Sequence, residues 1–184
     1  EDMKVDDVSF LCKLAKKLQK EYNLSKENTF CSGMSNGGEM CYLLAYCGQK
    51  TFKAVAPIAG LTMAWMPLAY GSSRAIPLFE IHGTEDRVSE WTGDMENKGG
   101  WGEYLPVPDA VNYWVSNNGC YNAEVGEMPL RYPDSHKVIT HKYSGANNAP
   151  QVWLYEVVGG VHSWFNEDID TADEVWKFFE QCMF

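Results

Sequence analysis

Gly33-Met34-Ser35-Asn36-Gly37 sets a serine between two glycines at the spacing of a nucleophile turn. The pattern carries chemistry only where a strand turns sharply into a helix. Both flanks supply that context. Asn28 to Ser32 reads as a short strand ending at Gly33, and Asn36 to Tyr46 as a helix stopped by Gly48. Such a turn strains the serine backbone and lifts its hydroxyl above the sheet. Gly33 and Gly37 are expected to be required because a side chain at either would strike the neighbouring backbone. The helix behind Ser35 begins with unpaired N–H groups and positive potential, so the Asn36 N–H is a candidate oxyanion donor. The chemistry would be attack of a serine on an acyl carbon.

A serine nucleophile needs a base, and the base needs an acid to orient it. On this kind of turn the chain order is serine, acid, histidine. A strand from Pro77 to His82 runs into His82-Gly83-Thr84-Glu85-Asp86, which sets an acid just past a strand end. Asp86 is the first choice and Glu85 the second. The last strand runs into Gly159-Gly160-Val161-His162-Ser163-Trp164, so His162 is the candidate base. His82 precedes the acid and reads as a structural hydrogen-bonding group. His136 and His141 lie in a hairpin region and read as exposed. Asp109, Asp168, Asp170 and Asp173 fall at helix starts and read as caps or dipole partners. No grouping of His, Cys or Asp has metal-ligand spacing, and no Gly-rich phosphate loop is present. The reading therefore expects no metal and no cofactor.

The elements that must position these residues alternate. Val8, Leu11, Ala15, Leu18 and Tyr22 form a helical stripe that Asp6 or Asp7 can cap. Phe52 to Ala59 is an almost continuous apolar strand, as buried parallel strands are. Pro108 to Asn117 is a helix with proline in its first turn. Lys137 to Tyr143 and Val152 to Val158 are strands paired as a hairpin across Ser144 to Gln151. Ile169, Ala172, Trp176, Phe179 and Met183 make a closing helical stripe. Strands alternating with helices imply an α/β architecture with a mostly parallel sheet and helices on both faces. Ser89 to Leu105 has no periodicity and reads as a long functional surface loop. Trp114, Trp153 and Trp176 read as core.

Composition narrows the function. The chain has 184 residues, 45% hydrophobic and 22% charged, with seven Trp and ten Tyr. That suits one domain and excludes collagenous, low-complexity and disordered classes. Fifteen Lys+Arg against 25 Asp+Glu give a net charge of −10, which argues against nucleic acid or anionic lipid as a partner. No apolar run is long enough for a membrane span. Glu1-Asp2-Met3-Lys4 leads into the first helix with no signal-peptide pattern.

Together, GMSNGG (33–38), AVAPIAG (54–60), IHGTED (81–86), YWVSNNGC (113–120) and GGVHSW (159–164) resemble the polyhydroxybutyrate depolymerase-like esterases. These α/β-hydrolases are grouped with the feruloyl and acetylxylan esterases of the first carbohydrate esterase family. The resemblance covers essentially all 184 residues, and its motifs occur in the family's order. It puts the nucleophile on Ser35, the acid on Asp86 and the base on His162. It implies hydrolysis of polymer esters, or release of ferulate or acetate from xylan, and a secreted or periplasmic location. Three departures stand out. Val161 and Phe165 replace a Gly and a Pro of the family pattern around the histidine. Ala146 or a neighbour stands where many members place the cysteine that pairs with Cys120, so that disulfide is not expected. The family's N-terminal strands, which carry a second oxyanion donor, are absent, so they are expected from the same gene product or another chain.

The expectation is therefore a serine ester hydrolase working through an acyl-enzyme on a polysaccharide or phenolic ester. Trp91, Trp101 and Tyr104 in the long loop, Trp164 beside His162, and Met34 beside Ser35 are the candidate substrate contacts, because aromatic faces stack on sugar or phenolic rings. A polyester depolymerase is the alternative within this chemistry. A non-catalytic carbohydrate-binding module keeping the fold is the alternative of another class, and the intact Ser35, Asp86 and His162 argue against it.

Overall fold

Six strands and five helices are present among the described residues, 5–71 and 73–183 of the computed structural model. The polar start at Glu1 to Lys4 lies outside them. In chain order they are α1 (Asp7–Glu21), β1 (Cys31–Met34), α2 (Asn36–Tyr46), β2 (Val55–Ile58), α3 (Trp65–Tyr70), β3 (Leu78–Gly83), α4 (Val107–Asn117), β4 (Asn122–Glu127), β5 (Lys137–Ser144), β6 (Val152–Val158) and α5 (Thr171–Gln181). No helix among the described residues is long and apolar enough to cross a membrane.

All six strands form one sheet in the order β1-β2-β3-β6-β5-β4. β1, β2, β3 and β6 run parallel to one another, with Met34 opposite Ile58 and Gly83 opposite Val157. β5 and β4 add antiparallel strands, and β5–β6 is the expected hairpin. Parallel strands are buried on both faces and send alternate side chains to each. Leu78, Val152 and Leu154 therefore pack with Tyr42, Tyr46, Val111 and Trp114 of α2 and α4. Phe79, Ile81, Tyr155 and Val157 pack with Phe178 and Phe179 of α5 on the other face. Because β1, β2, β3 and β6 point the same way, the segments that follow them leave along one sheet edge, where ligands bind in open α/β sheets.

The helix faces differ from the sequence reading. In α1, Leu18 and Tyr22 are exposed while Gln19 is buried and donates to Thr29 Oγ1 at 2.7 Å. In α5, Trp176 is 51% exposed and Ala172 is also outside. The buried face is Thr171, Glu174, Val175, Phe178 and Phe179. Its polar members are satisfied by partners outside the helix: Tyr155 OH donates to Glu174 Oε2 at 3.0 Å, and Thr171 Oγ1 donates to Trp164 O. Asp6 and Asp170 are the N-caps of α1 and α5. Asp168 instead accepts from the His136 N–H at 2.7 Å and lies 2.9 Å from His136 Nδ1, tying the segment before β5 to the segment before α5. All six cysteines are free thiols, of which only Cys41 is fully buried.

Candidate active site

Ser35 is the single residue between β1 and α2, with φ 55° and ψ −121°. Positive φ costs a non-glycine residue on the order of 1–3 kcal/mol and persists only where surroundings over-determine it. Here the Ser35 N–H donates to Ile58 O at 2.9 Å, and Ser35 O accepts from the Glu39 N–H at 3.0 Å. The side chain does not cap α2, so the hydroxyl is left for chemistry. A Cβ on Gly33 would lie 2.7 Å from Gly37 C and O, as expected. A Cβ on Gly37 would meet nothing within 4 Å, so the steric reason anticipated for Gly37 does not hold. The second tight position is Gly38, which crosses Gly60 just past β2. Asn36 is the first residue of α2, where a helical N–H has no partner within its own helix.

The candidate acid and base come from the segments after β3 and β6. Asp86 is 4% exposed, whereas Glu85 faces solvent. Asp86 Oδ1 accepts from the Val88 and Ser89 N–H groups, both at 2.8 Å, and Oδ2 accepts from His162 Nδ1 at 2.7 Å. Since a carboxylate only accepts, Nδ1 carries the proton and Nε2 has the free lone pair that a general base needs. The two segments are laced together. The Thr84 N–H donates to Val157 O, the Glu85 N–H to Gly160 O, and the Gly159 N–H to Thr84 Oγ1. They approach so closely that a Cβ on Gly83 would lie 2.2 Å from Gly160 O. Among the described residues Ser35 Oγ makes no hydrogen bond to His162, so the Asp–His arm is closed and the Ser–His arm is open. Such arms commonly tighten only when substrate binds.

The candidate substrate contacts divide. Trp101 is 65% exposed, and Trp91 is half-buried with its ring 6.1 Å from that of His82. Tyr104 is 1% exposed, and its strand-like backbone pairs with Met63 and Asp94. Its hydroxyl accepts from the Glu90 N–H at 3.4 Å. Tyr104 thus anchors the loop and presents no stacking face. Met34 and Trp164 are half-buried against the core beneath α5. A cleft of about 380 Å³ runs beside Asp86, lined by Thr84, Arg87, Glu90 and Trp91 among others, and its lining does not include Ser35 or His162.

His82 is a buried hydrogen-bonding group, as read. Its partner Glu80 was not anticipated. Glu80 lies in the middle of a strand otherwise buried and apolar, LFEIHG, two residues before the histidine and on the same face. That acid inside an apolar run was the available signal. Among the described residues no group of three His, Cys, Asp or Glu could hold a metal ion.

No protein-family model matches the chain. In sequence it is similar to the feruloyl esterase C of Emericella nidulans, 26% identical over 180 residues, covering 95% of this chain and 57% of that protein. It is also similar to a bifunctional acetylxylan esterase/xylanase of Neocallimastix patriciarum, 31% identical over 85 residues, 45% of this chain and 12% of that protein. In structure it is similar to an acetyl xylan esterase from Aspergillus awamori, with TM-score 0.61, 11% identity, and coverage of 94% of this chain and 66% of that one. Esterase PE8 gives TM-score 0.57 at 17% identity, covering 94% of this chain and 59% of that one. The chain has the α/β-hydrolase fold. Its resemblance to feruloyl and acetylxylan esterases, read first from the motifs, is borne out by these relatives. The chain spans 57% of the length of the feruloyl esterases it matches.

Proposed function

We propose that this chain is the catalytic part of a serine carboxylic-ester hydrolase acting on feruloyl or acetyl esters of plant cell-wall xylan, outside the cell. The observation that carries the reading is the 2.7 Å bond from His162 Nδ1 to buried Asp86, on the same sheet edge as Ser35 with its positive φ. His162 Nε2 takes the proton of Ser35 Oγ as that oxygen bonds to the ester carbonyl carbon. Asp86 holds the imidazole and stabilises its charged form. The Asn36 N–H donates to the developing oxyanion. As the tetrahedral intermediate collapses, the alcohol leaves with the proton from His162, and the acyl group remains on Ser35. Water, deprotonated by His162, then attacks the acyl carbon; the bond to Ser35 Oγ breaks, that oxygen takes the proton back from His162, and the acid is freed. Trp101, Trp91, Trp164 and Met34 are the contacts proposed for the sugar or phenolic ring.

Hydrolysis of nitrophenyl acetate and of a feruloyl ester tests this. Wild-type protein turns over both, and Ser35→Ala turns over neither above background. Equal rates for the two proteins would sink the assignment.

A further inference from the structure

Behind the candidate acid lies a second acid–imidazole pair that the proposed reaction does not use. Glu80 and His82 sit on one face of β3, and both side chains are fully buried. His82 Nε2 is 2.8 Å from Ser89 O. A carbonyl only accepts, so Nε2 carries a hydrogen. His82 Nδ1 is 2.7 Å from Glu80 Oε1, so one further proton lies between those two atoms. His82 Nε2 is also 3.7 Å from Asp86 Oδ2, the oxygen that accepts from His162. That oxygen therefore stands between two imidazoles. Ser89 closes the arrangement, since its N–H donates to Asp86 Oδ1 while its carbonyl accepts from His82.

We propose that Glu80 and His82 are positioning residues for the triad: Glu80 holds His82 as an imidazolium, which clamps the turn from Asp86 to Ser89 and sets a positive charge behind Asp86. This rests on the reaction proposed above. Burial alone would push the His82 imidazole down, but the hydrogen bond and charge of Glu80 outweigh it and hold the ring above its ordinary range. Burial pushes the Glu80 carboxyl up, against the pull of His82. The other titratable groups facing the pair are Tyr42 and Cys41 of α2 beside Glu80, with Asp86 on the far side. His162 acts through Asp86, and Tyr104 faces Asp86. The uncharged edge of Trp91 covers the ring. A positive charge behind Asp86 repels a second positive charge on the far side of that carboxylate.

The test combines nitrogen NMR of the histidine rings with pH–rate profiles for nitrophenyl acetate, in full-length protein. The wild-type spectrum should show both His82 nitrogens protonated at and above neutral pH. In Glu80→Gln the His162 titration and the acid limb of kcat/KM should both move up by about half a pH unit or more. At pH 6 kcat should fall up to about threefold, while KM stays within twofold. His82→Gln keeps an N–H for Ser89 O, so a purely structural clamp predicts a wild-type profile for it, and that result would overturn the proposal. A neutral His82 ring in the wild-type spectrum would overturn it too, with no variant needed if either fails to fold. If Ser35-dependent turnover is absent, the esterase reading fails, while the His82 and His162 spectra still decide the pair.

Discussion

Gly38 and Gly60 cross so closely that a Cβ on either would lie within 2.7–2.8 Å of the other's backbone. This crossing seats the first turn of α2 on the end of β2 and so sets the height of Ser35 above the sheet. Gly60→Ala must push two backbones apart, at a cost of about 1–3 kcal/mol. For a chain of this size that lowers Tm by roughly 2–4 °C per kcal/mol. Activity should fall by more than the lost stability accounts for, because the elbow itself shifts. Gly37→Ala, with open space around it and a helical position, should leave stability unchanged or raise it by up to about 1 kcal/mol. Paired thermal melts of the two variants check the contrast in sign.

Asp86→Asn keeps the shape of the acid but offers His162 an amide. The ring can then adopt the wrong tautomer, with Nε2 protonated and no lone pair toward Ser35. By analogy with the same change in other serine hydrolases, kcat should fall about 10⁴-fold with KM little changed. Glu85→Gln, at the exposed neighbour, should leave kcat within about twofold. Steady-state kinetics with nitrophenyl acetate separates the two.

Trp101 and Tyr104 belong to one loop but answer to different forces. Trp101→Ala removes a ring that is 65% exposed, so stability should move by no more than about 0.5 kcal/mol. KM for a feruloyl ester should rise while KM for an acetyl ester stays put. Tyr104→Ala empties a buried site and should cost about 3–5 kcal/mol, with both substrates affected through unfolding of the loop. Denaturant titration together with the two KM values tests the division.

Cys182 gives a pH dependence with a definite sign. Burial raises its thiol from 9.0 to about 11. A group raised in the folded state stabilises below its unfolded value and loses that contribution as pH climbs through its folded value. Between pH 9 and 11 the folded chain holds protons that the unfolded chain has released, so stability falls. Cys41, raised first by its neighbour Cys31, and half-buried Cys47 and Cys120, raised by burial, push the same way. Cys182→Ala should make the slope shallower by up to about 1.4 kcal/mol per pH unit, one proton's share. Urea midpoints at pH 8.5, 9.5 and 10.5 measure it.

Phe178 and Trp176 test the corrected face of α5. Phe178→Ala should cost about 3–5 kcal/mol. Trp176→Ala, half-exposed and bonded only to Glu180 on its own helix, should cost well under about 1 kcal/mol.

What could be read from the sequence follows from where the physics is local. Asn36–Tyr46 and Val152–Val158 are bounded as read, because a glycine stop and an apolar run are properties of the segment itself. β4 was not read: all six residues of Asn122–Glu127 are exposed, so no alternation marks them, and only backbone bonding to β5 makes them a strand. α3 is a single short helix with Pro67 inside it, below any periodic signal. Of the two stripes, Val8, Leu11, Ala15, Ile169 and Phe179 lie on the packed side as read, but Leu18, Tyr22, Ala172 and Trp176 do not. The true faces bury Gln19, Thr171 and Glu174, whose partners Thr29, Trp164 and Tyr155 lie elsewhere in the chain. The site divides in the same way. Motif order set Asp86 and His162 as candidate partners, and the i, i+2 spacing in β3 sets Glu80 beside His82, but nothing local says that the ring meets Ser89 on its other side.

The lacing of the segments after β3 and β6 has a mechanical consequence. Asp86 and His162 ride on one stiff unit, so their 2.7 Å separation is insulated from slow breathing of the sheet. Ser35 rides on another, the wedge of β1 and α2, with β2 between them. In the proposed reaction the acid–base pair and the nucleophile thus sit on different parts of the sheet, with the Ser–His gap between them. In the proposed reaction, packing against that wedge would therefore set the Ser–His distance, while the laced segments keep the Asp–His one.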